Sequence, residues 1–205
     1  MKIAIIGAGN VGGALAKQWA KAGHKIYLGL RDLNSADAKE LENLSSNISS
    51  YSISAAINEA EIVLFSTPPE AAVEVAKQNA ALKNKIVIDA TNSVFKEPEP
   101  YKTAFEGIKK ETGCEDVVKC FNSTGFENME NPKYGNVAID MFSAGSSKKA
   151  KDTAKKLSLD AGFAECYDFG GDDKVELLEQ FAFSWINLAI IQKHGRGMAF
   201  KVLKR

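Results

Sequence analysis

The sequence predicts an α/β protein with a doubly wound, mostly parallel sheet and a small carboxyl-terminal helical part. Short apolar runs alternate with helical patterns along the first half of the chain, which is the β-α-β order that builds such a sheet. The runs at 61–66 (EIVLFS) and 85–89 (KIVID) are continuous and rich in β-branched residues, as strands buried on both faces are. A sheet of this kind binds ligands in the crevice at the carboxyl ends of its strands.

The individual elements follow from periodicity and from the residues that end them. The first helix, 11–22, has apolar residues at helical spacing and ends at Gly23. The predicted strands are 2–6, 25–30, 51–54, 61–66, 85–89, 116–121, 137–143 and 164–169, and the predicted helices are 11–22, 32–43, 70–80, 102–112, 148–161 and 172–193.

Composition and charge exclude several classes of function. The 205 residues include 26 basic and 26 acidic ones, so no overall field attracts nucleic acid or an anionic membrane, and the expected partner is a small molecule. Cys114, Cys120 and Cys166 form no C-x-x-C pair, which predicts free thiols and no metal site. The chain starts on its first predicted strand without a basic leader, and its longest apolar stretch, 181–191, is too short to span a bilayer. We therefore expect a cytoplasmic protein.

The predicted helix at 172–193 is apolar on nearly every side, so every side must be covered. The rest of so small a chain can cover one face. A second copy is the favoured cover for the other face, which predicts a homodimer through this helix; the alternative is a core helix enclosed by the monomer. Its large apolar residues are Leu177, Leu178, Phe181, Phe183, Trp185, Ile186, Leu188, Ile190 and Ile191.

The first predicted strand runs directly into a glycine-rich turn, in the sequence KIAIIGAGNVGG. Strand, G-x-G-x-x-G turn and helix together favour a site where helix amides hold a pyrophosphate, over a glycine loop without a ligand. Gly7 permits the tight turn, Gly9 lets phosphate approach the backbone, and Gly12 lets helix and strand pack closely. We predict a dinucleotide-binding Rossmann domain over residues 1–145, and a strand and helices for packing and dimerisation over 146–205.

The end of the second predicted strand indicates which dinucleotide is bound. NAD-specific folds place an Asp or Glu there for the ribose hydroxyls, whereas this chain has Gly29 and Leu30, followed by Arg31. A guanidinium at this point can bind a 2′-phosphate through two hydrogen bonds and stack on adenine. The sequence therefore favours NADP over NAD, unless the strand ends later and Asp32 serves as the ribose carboxylate.

Small polar residues follow three of the later strands, whose ends meet at the crevice. Thr67 and Pro68 follow the fourth strand, Asn92 the fifth and Asn122 the sixth. Such residues suit contacts with a ribose and a carboxamide, although Ser, Thr and Asn also cap helices and make turns. We predict that these four residues contact the cofactor.

Few residues can supply the acid that a carbonyl-reducing dehydrogenase needs. The chain has no Tyr-x-x-x-Lys pair, His24 is expected to be exposed in a loop, and His194 is expected to cap the long helix. Asp89 is a possible acid, but a carboxylate that ends a buried strand more often caps the next turn. No catalytic side chain is therefore assigned. Hydride exchange with a flavin or deazaflavin fits better, because it needs mainly stacked rings and solvent can protonate the ring nitrogen.

The chain contains the segments IIGAGNVGGALA, GLRD, FSTPPEA, IDATN, VVKCFNSTGFENMENP and WINLAIIQKHGRGMAF. Together they resemble the NADPH-dependent coenzyme F-420 oxidoreductase family, in particular its bacterial dinucleotide-binding members. The chain is also similar to the reductase domain of the six-transmembrane epithelial antigen metalloreductases. The resemblance covers nearly the whole chain and implies a Rossmann domain with a small carboxyl-terminal part, NADP as cofactor and dimerisation through carboxyl-terminal helices.

The resemblance also implies roles for individual residues. One position departs from the family pattern: Leu30 stands where a Ser or Thr usually precedes the arginine, so a hydroxyl for the phosphate is missing. By resemblance, Gly9, Asn10 and Val11 bind the pyrophosphate, Arg31 binds the 2′-phosphate, Thr67 and Pro68 lie along the nicotinamide ribose, and residues 122–126 lie beside the nicotinamide.

Residues and resemblance together predict an NADP-dependent oxidoreductase that moves hydride between nicotinamide and a flavin, a deazaflavin or another small acceptor. One alternative is an imine or carbonyl reductase in which Asp89 or a substrate group supplies the proton. The other is a non-catalytic module that binds a dinucleotide as a sensor. No motif identifies a deazaflavin site, so the acceptor stays open.

Overall fold

The computed structural model describes residues 1–205 and contains ten strands and eight α-helices. The strands are β1 (Lys2–Ile6), β2 (Lys25–Leu30), β3 (Ile48–Ser52), β4 (Ile62–Phe65), β5 (Ile86–Asp89), β6 (Val117–Cys120), β7 (Lys133–Tyr134), β8 (Val137–Ala138), β9 (Met141–Ala144) and β10 (Cys166–Asp168). The helices are α1 (Asn10–Lys21), α2 (Ala36–Leu44), α3 (Ile53–Glu59), α4 (Pro69–Gln78), α5 (Ala104–Thr112), α6 (Phe126–Glu130), α7 (Lys148–Asp160) and α8 (Val175–Ile186).

Eight of the strands form one sheet, in the order β10-β9-β6-β5-β4-β1-β2-β3. Strands β1 to β6 are parallel, β9 is antiparallel to β6, and β10 is parallel to β9. The predicted doubly wound, mostly parallel α/β fold with carboxyl-terminal helices is therefore confirmed. Because the strand order reverses between β1 and β4, the ligand crevice of such a fold opens at the carboxyl ends of these two strands.

The sheet separates two apolar cores, and β1 shows how alternation builds them. Ile3 and Ile5 point into the core that contains α1 and α7, whereas Ala4 and Ile6 point into the core that contains α3, α4 and α5. Trp19 of α1 is fully buried and donates a hydrogen bond to the carbonyl of Leu157, 2.9 Å away, which joins α1 to α7. This contact fixes the carboxyl-terminal half of α1 against α7.

The structure differs from the predicted elements in three regions. The third strand is 48–52 rather than 51–54, because Ser52 begins the unpredicted helix α3 and accepts a hydrogen bond from the amide of Ala55. The predicted strand 137–143 is divided between the β7–β8 hairpin and β9. Helix α6 was not predicted either, because five residues are too few to show a period.

The long apolar helix consists of three pieces: a 3₁₀ turn at Asp172–Lys174, α8, and a π-helical turn at Asn187–Ile191. One face is buried against the sheet and includes Leu178, Ala182 and Trp185. Outside this buried face Leu177 is 54% exposed, and Ile190 and Ile191 are exposed as well. The single chain covers one face of this helix, and coverage of the other by a second copy stays a prediction.

His24 lies in a buried position, so the expectation that it is exposed is wrong. It is only 6% exposed, its Nε2 lies 2.9 Å from Asp160 Oδ2, and its Nδ1 lies 3.2 Å from the amino terminus. The end of α7 covers the loop between α1 and β2, a contact over 136 residues that local sequence does not indicate.

His194 is exposed, and all three cysteines are buried free thiols. None of the helices combines the length and apolarity needed to cross a bilayer.

Candidate dinucleotide site

The glycine turn joins the end of β1 to the start of α1 with no space for side chains at two positions. Gly7 has φ +101°, and a Cβ atom there would lie 2.9 Å from Thr67 Cγ2 and 3.0 Å from the carbonyl oxygen of Ser66. A Cβ atom on Gly12 would overlap the carbonyl oxygen of Gly7. The hydroxyl of Ser66 donates a hydrogen bond to that same oxygen at 2.8 Å, which ties β4 to the turn.

Gly9 differs from these two glycines because the space beside it is open. A Cβ atom at this position would meet no protein atom within 4 Å. Gly9 is the N-cap of α1 and is followed by Asn10, which is exposed, and Val11, which is half-buried. The first turn of α1 carries no acidic residue and receives no side-chain cap. Its amide groups are therefore free to bind an anion.

Replacing Gly9 by alanine is expected to leave the fold intact and to weaken NADPH binding about tenfold, or ~1.4 kcal/mol. The backbone here has φ −72°, which alanine adopts without strain, and the new methyl group would occupy the open space where we expect the phosphate. Thermal unfolding and a fluorescence titration with NADPH measure the two effects separately. Gly12→Ala is the contrasting variant. Its methyl group would overlap the carbonyl oxygen of Gly7, so we expect its melting temperature to fall. Unchanged NADPH affinity in Gly9→Ala would contradict this placement of the phosphate.

A cavity of about 510 Å³ opens at the carboxyl ends of β1, β2 and β4. Its volume suits a small-molecule ligand. Arg31 lies in its wall beside Gly7, together with Thr67 and Pro68, which follow β4. Thr67 and Pro68 thus lie in the same cavity as Arg31, which favours contact with the adenosine half of a dinucleotide over the position along the nicotinamide ribose that the resemblance implies. The apolar part of the wall comes from Ile6, Ala8, Leu30, Ile53, Ala71 and Val75.

The ionic groups around Arg31 bear on the choice of dinucleotide. Arg31 is exposed and makes no ion pair in the structure. The neighbouring Asp32 also lines the cavity, but its Oδ1 accepts a hydrogen bond from the amide of Asn34 at 2.9 Å and so forms a local turn. Strand β2 ends at Leu30, before Asp32, as the argument for NADP assumes.

Asn92 and Asn122 form a reciprocal pair beyond the ends of β5 and β6. Asn92 Nδ2 donates to the carbonyl oxygen of Asn122 at 2.9 Å, and Asn122 Nδ2 donates to Asn92 Oδ1 at 3.0 Å. The residue before Asn122, Phe121, is fully buried and has φ +61°, a strained conformation for a large side chain. Two residues that the sequence placed at the crevice are therefore held together, although they do not line the 510 Å³ cavity.

A buried ionic cluster, whose carboxylates accept from the amides on either side of Asn92, was missed by sequence reasoning. Lys119 of β6 is fully buried, and its Nζ lies 2.9 Å from Asp89 Oδ2 and in contact with Glu179 Oε1. Burial alone would lower the pKa of Lys119, but the attraction of both carboxylates outweighs it, so the pKa is raised and the ammonium stays charged. Burial also raises the pKa of Glu179, and Lys119 offsets this only in part.

The cluster changes the interpretation of Asp89. Asp89 is fully buried, and its second oxygen accepts a hydrogen bond from the amide of Thr91 at 2.9 Å. Both of its oxygens are thus engaged inside the protein, which leaves no route to give a proton to an acceptor. The missed signal was Lys119 itself, because a lysine in a strand as apolar as β6 requires a buried carboxylate partner.

Two segments that carry the family resemblance, 121–132 (FNSTGFENMENP) and 195–200 (GRGMAF), pack against each other next to Asn122. Trp185 Nε1 and Asn128 Nδ2 both donate to the carbonyl oxygen of Met198, at 2.7 and 2.8 Å. Arg196 holds Glu127 through two hydrogen bonds of 2.5 and 3.1 Å. The carboxyl-terminal segment therefore closes over α6 and the loop after β6, beside the predicted nicotinamide position.

Comparison with known proteins agrees with this geometry. Residues 2–93 match the family model described as NADP oxidoreductase coenzyme F420-dependent, which confirms the family resemblance for the part of the chain that contains the glycine turn, Arg31 and Asn92. The family match indicates an NADP-dependent oxidoreductase and leaves the acceptor open. No curated protein matches the sequence.

Solved structures with the same fold include three that illustrate its range. A proposed F420-dependent NADP reductase from Arthrobacter sp. FB24 superposes with a TM-score of 0.86 at 23% identity, over all of both chains. A hypothetical protein from Sinorhizobium meliloti has a TM-score of 0.72 at 22% identity, over 100% of this chain and 96% of that one. A variant of an imine reductase from Myxococcus stipitatus, in complex with NAD⁺, has a TM-score of 0.69 at 16% identity, over 94% of this chain and 63% of that one.

Proposed function

We propose that this chain, whose residues 2–93 match the F420-dependent NADP oxidoreductase family model, transfers hydride between NADP and a flavin, a deazaflavin or another small acceptor. One observation carries the proposal. The crevice offers free helix amides and an exposed arginine for a dinucleotide, while the ionisable groups Asp89, Lys119 and Glu179 at its nicotinamide side are buried and paired. Such a site supplies position rather than acid–base catalysis.

Different residues of the chain would bind different parts of the dinucleotide. The amides that follow Gly9 would hold the pyrophosphate, and Arg31 would hold the 2′-phosphate. Thr67 and Pro68 would contact the adenosine side, and Asn92 and Asn122 the nicotinamide side. When bound, the reduced nicotinamide supplies the hydride, and a flavin-like acceptor takes its accompanying proton from solvent. What the chain contributes to the reaction is the alignment of the two rings and the exclusion of other reactions.

The proposal is tested by mixing the NADPH-loaded protein with FMN, riboflavin, a deazaflavin and a cyclic imine. We expect the absorbance of NADPH to fall faster than in the protein-free control with a flavin or a deazaflavin. Reaction with the imine alone would favour the imine reductase alternative, in which a substrate group brings the proton because Asp89 is engaged. Tight NADPH binding without turnover of any acceptor would favour the sensor alternative.

A homodimer is part of the same proposal. The exposed side of the long helix carries Leu177, Ile190 and Ile191, and the nearby Phe95 is 72% exposed while its ring packs edge-on against Phe183. Exposed apolar residues grouped on one side of a molecule favour an interface. A second copy packed through the same face would form a symmetric dimer.

A further inference from the structure

The segment that carries Asn92 is linked at both ends, through two carboxylates, to the buried ammonium group of Lys119. Asp89 Oδ1 accepts from the amide of Thr91 at 2.9 Å, and Glu179 Oε2 accepts from the amide of Ser93 at 2.8 Å. The remaining oxygen of each carboxylate contacts Lys119 Nζ. Three elements distant in sequence, β5, β6 and α8, thus meet at one point and fix the two outer amides of the three-residue segment Thr91–Ser93, called here the Thr91–Ser93 turn.

Asn92 lies between those two fixed amides. Its side chain can therefore adopt few orientations, and its reciprocal hydrogen bonds with Asn122 restrict it further. Charge-assisted hydrogen bonds are the strongest type available for such positioning. The geometry of the predicted nicotinamide contacts depends in this way on groups that no cofactor can touch.

Three buried oxygen atoms at the same place have no partner in the protein. They are Thr91 Oγ1, Ser93 Oγ and Asn122 Oδ1, in residues that are 3, 6 and 5% exposed. A buried polar atom without a partner costs free energy, and native proteins leave few of them. Two hydroxyls, which can donate or accept, and one amide oxygen, which accepts, point to a ligand group that both donates and accepts hydrogen bonds, such as a carboxamide.

We propose that Lys119 and Glu179 are positioning residues, which hold the Thr91–Ser93 turn and Asn122 as a hydrogen-bonding subsite for the nicotinamide half of NADPH. The inference rests on the proposed function, because it requires NADPH in the crevice. It goes beyond it in assigning a role to α8, which contributes no residue to the dinucleotide cavity.

Glu179→Gln tests the inference with almost no change in shape. The carboxylate of Glu179 accepts from two donors, the Lys119 ammonium and the Ser93 amide. A glutamine has one accepting oxygen and must lose one of these bonds. We expect its dissociation constant for NADPH to rise about tenfold while that for 2′,5′-ADP, which carries only the adenosine end, stays unchanged.

Glu176→Gln is the matched control. It makes the same chemical change less than one turn earlier on the same helix. Glu176, however, is exposed, and its ion pair is a 3.6 Å contact with the exposed Lys102. Both ligands should bind this variant as they bind the wild type. Unchanged binding of NADPH to Glu179→Gln, or an equal weakening of both ligands, would overturn the inference, since a general loss of structure does not distinguish the two halves of the cofactor.

Thr91→Val tests the subsite itself, and it remains available if Glu179→Gln does not fold. Removal of a buried hydroxyl without a partner should leave thermal stability equal or higher, yet it should weaken NADPH and not 2′,5′-ADP. Equal affinity of the wild type for both ligands would overturn the subsite while leaving the nucleotide site in place. Binding of neither ligand to folded wild-type protein would instead contradict the proposed function, and the inference with it.

Discussion

Lys119→Met is expected to lower the free energy of unfolding by about 3–5 kcal/mol, the range found when one partner of a buried ion pair is removed. The methionine fills a similar volume, so the loss comes from charge rather than from a cavity. Asp89 and Glu179 would remain buried together with no counter-charge. Denaturant unfolding followed by circular dichroism measures the change, with Lys102→Met, an exposed lysine, as the control that should change by less than about 0.5 kcal/mol.

The pH dependence of this variant gives a second check. Burial already raises the pKa of Glu179 in the wild type, and loss of the Lys119 ammonium removes the charge that lowers it. A carboxyl whose pKa is raised by folding adds stability below its unfolded pKa and loses it as the pH rises. The deficit of Lys119→Met relative to wild type should therefore shrink as the pH falls towards the ordinary carboxyl range. A deficit that is small and independent of pH would show that the cluster is not the buried charged group described above.

Arg31→Ala is expected to cost about 1.5–3 kcal/mol of NADPH binding, as for the loss of a charged hydrogen-bonding partner. NADH has no 2′-phosphate, so its binding should change much less. Arg31 is exposed beside the 510 Å³ cavity and makes no competing ion pair, which leaves its full guanidinium fork available for a phosphate. Isothermal titration with both cofactors measures the difference.

Two further variants sharpen the test of Arg31. Arg31→Lys keeps the charge but loses the fork, and it should retain part of the preference for NADPH. Equal losses of affinity for NADPH and NADH in Arg31→Ala would show that Arg31 does not bind the 2′-phosphate. If Asp32→Asn instead weakened NADH, Asp32 would be the ribose carboxylate, and the predicted preference for NADP would be wrong.

Features encoded within short segments could be predicted from sequence. The glycine turn, β1 and α1 are contiguous, so their spacing alone indicates the free helix amides and the close packing at Gly12. The alternation of buried strands with helices likewise predicted the parallel sheet, because each buried strand carries its own apolar signature. Short elements were missed, since α3 and α6, with seven and five residues, are too brief to show a helical period.

Contacts between distant segments could not be predicted in this way. Local sequence predicts that His24 is an exposed loop residue, but the end of α7, 136 positions later, covers it. Local sequence predicts that Asp89 is an ordinary strand end. In the structure it binds Lys119, 30 residues on, which also binds Glu179, 60 residues further. In each case a charged or polar group takes its role from a partner that only the packing of the sheet supplies.

The amino-acid sequence by itself determined the doubly wound fold and the nature of the nucleotide cradle, because backbone geometry and phosphate binding depend on neighbouring residues. The tertiary structure decided what lies next to the predicted nicotinamide position: a buried ammonium group shared by two carboxylates, which accept hydrogen bonds from the amides on either side of Asn92. The physical reason is that a buried charge requires its counter-charge within hydrogen-bonding distance, and the order of the strands, not the spacing along the chain, determines which residue provides it.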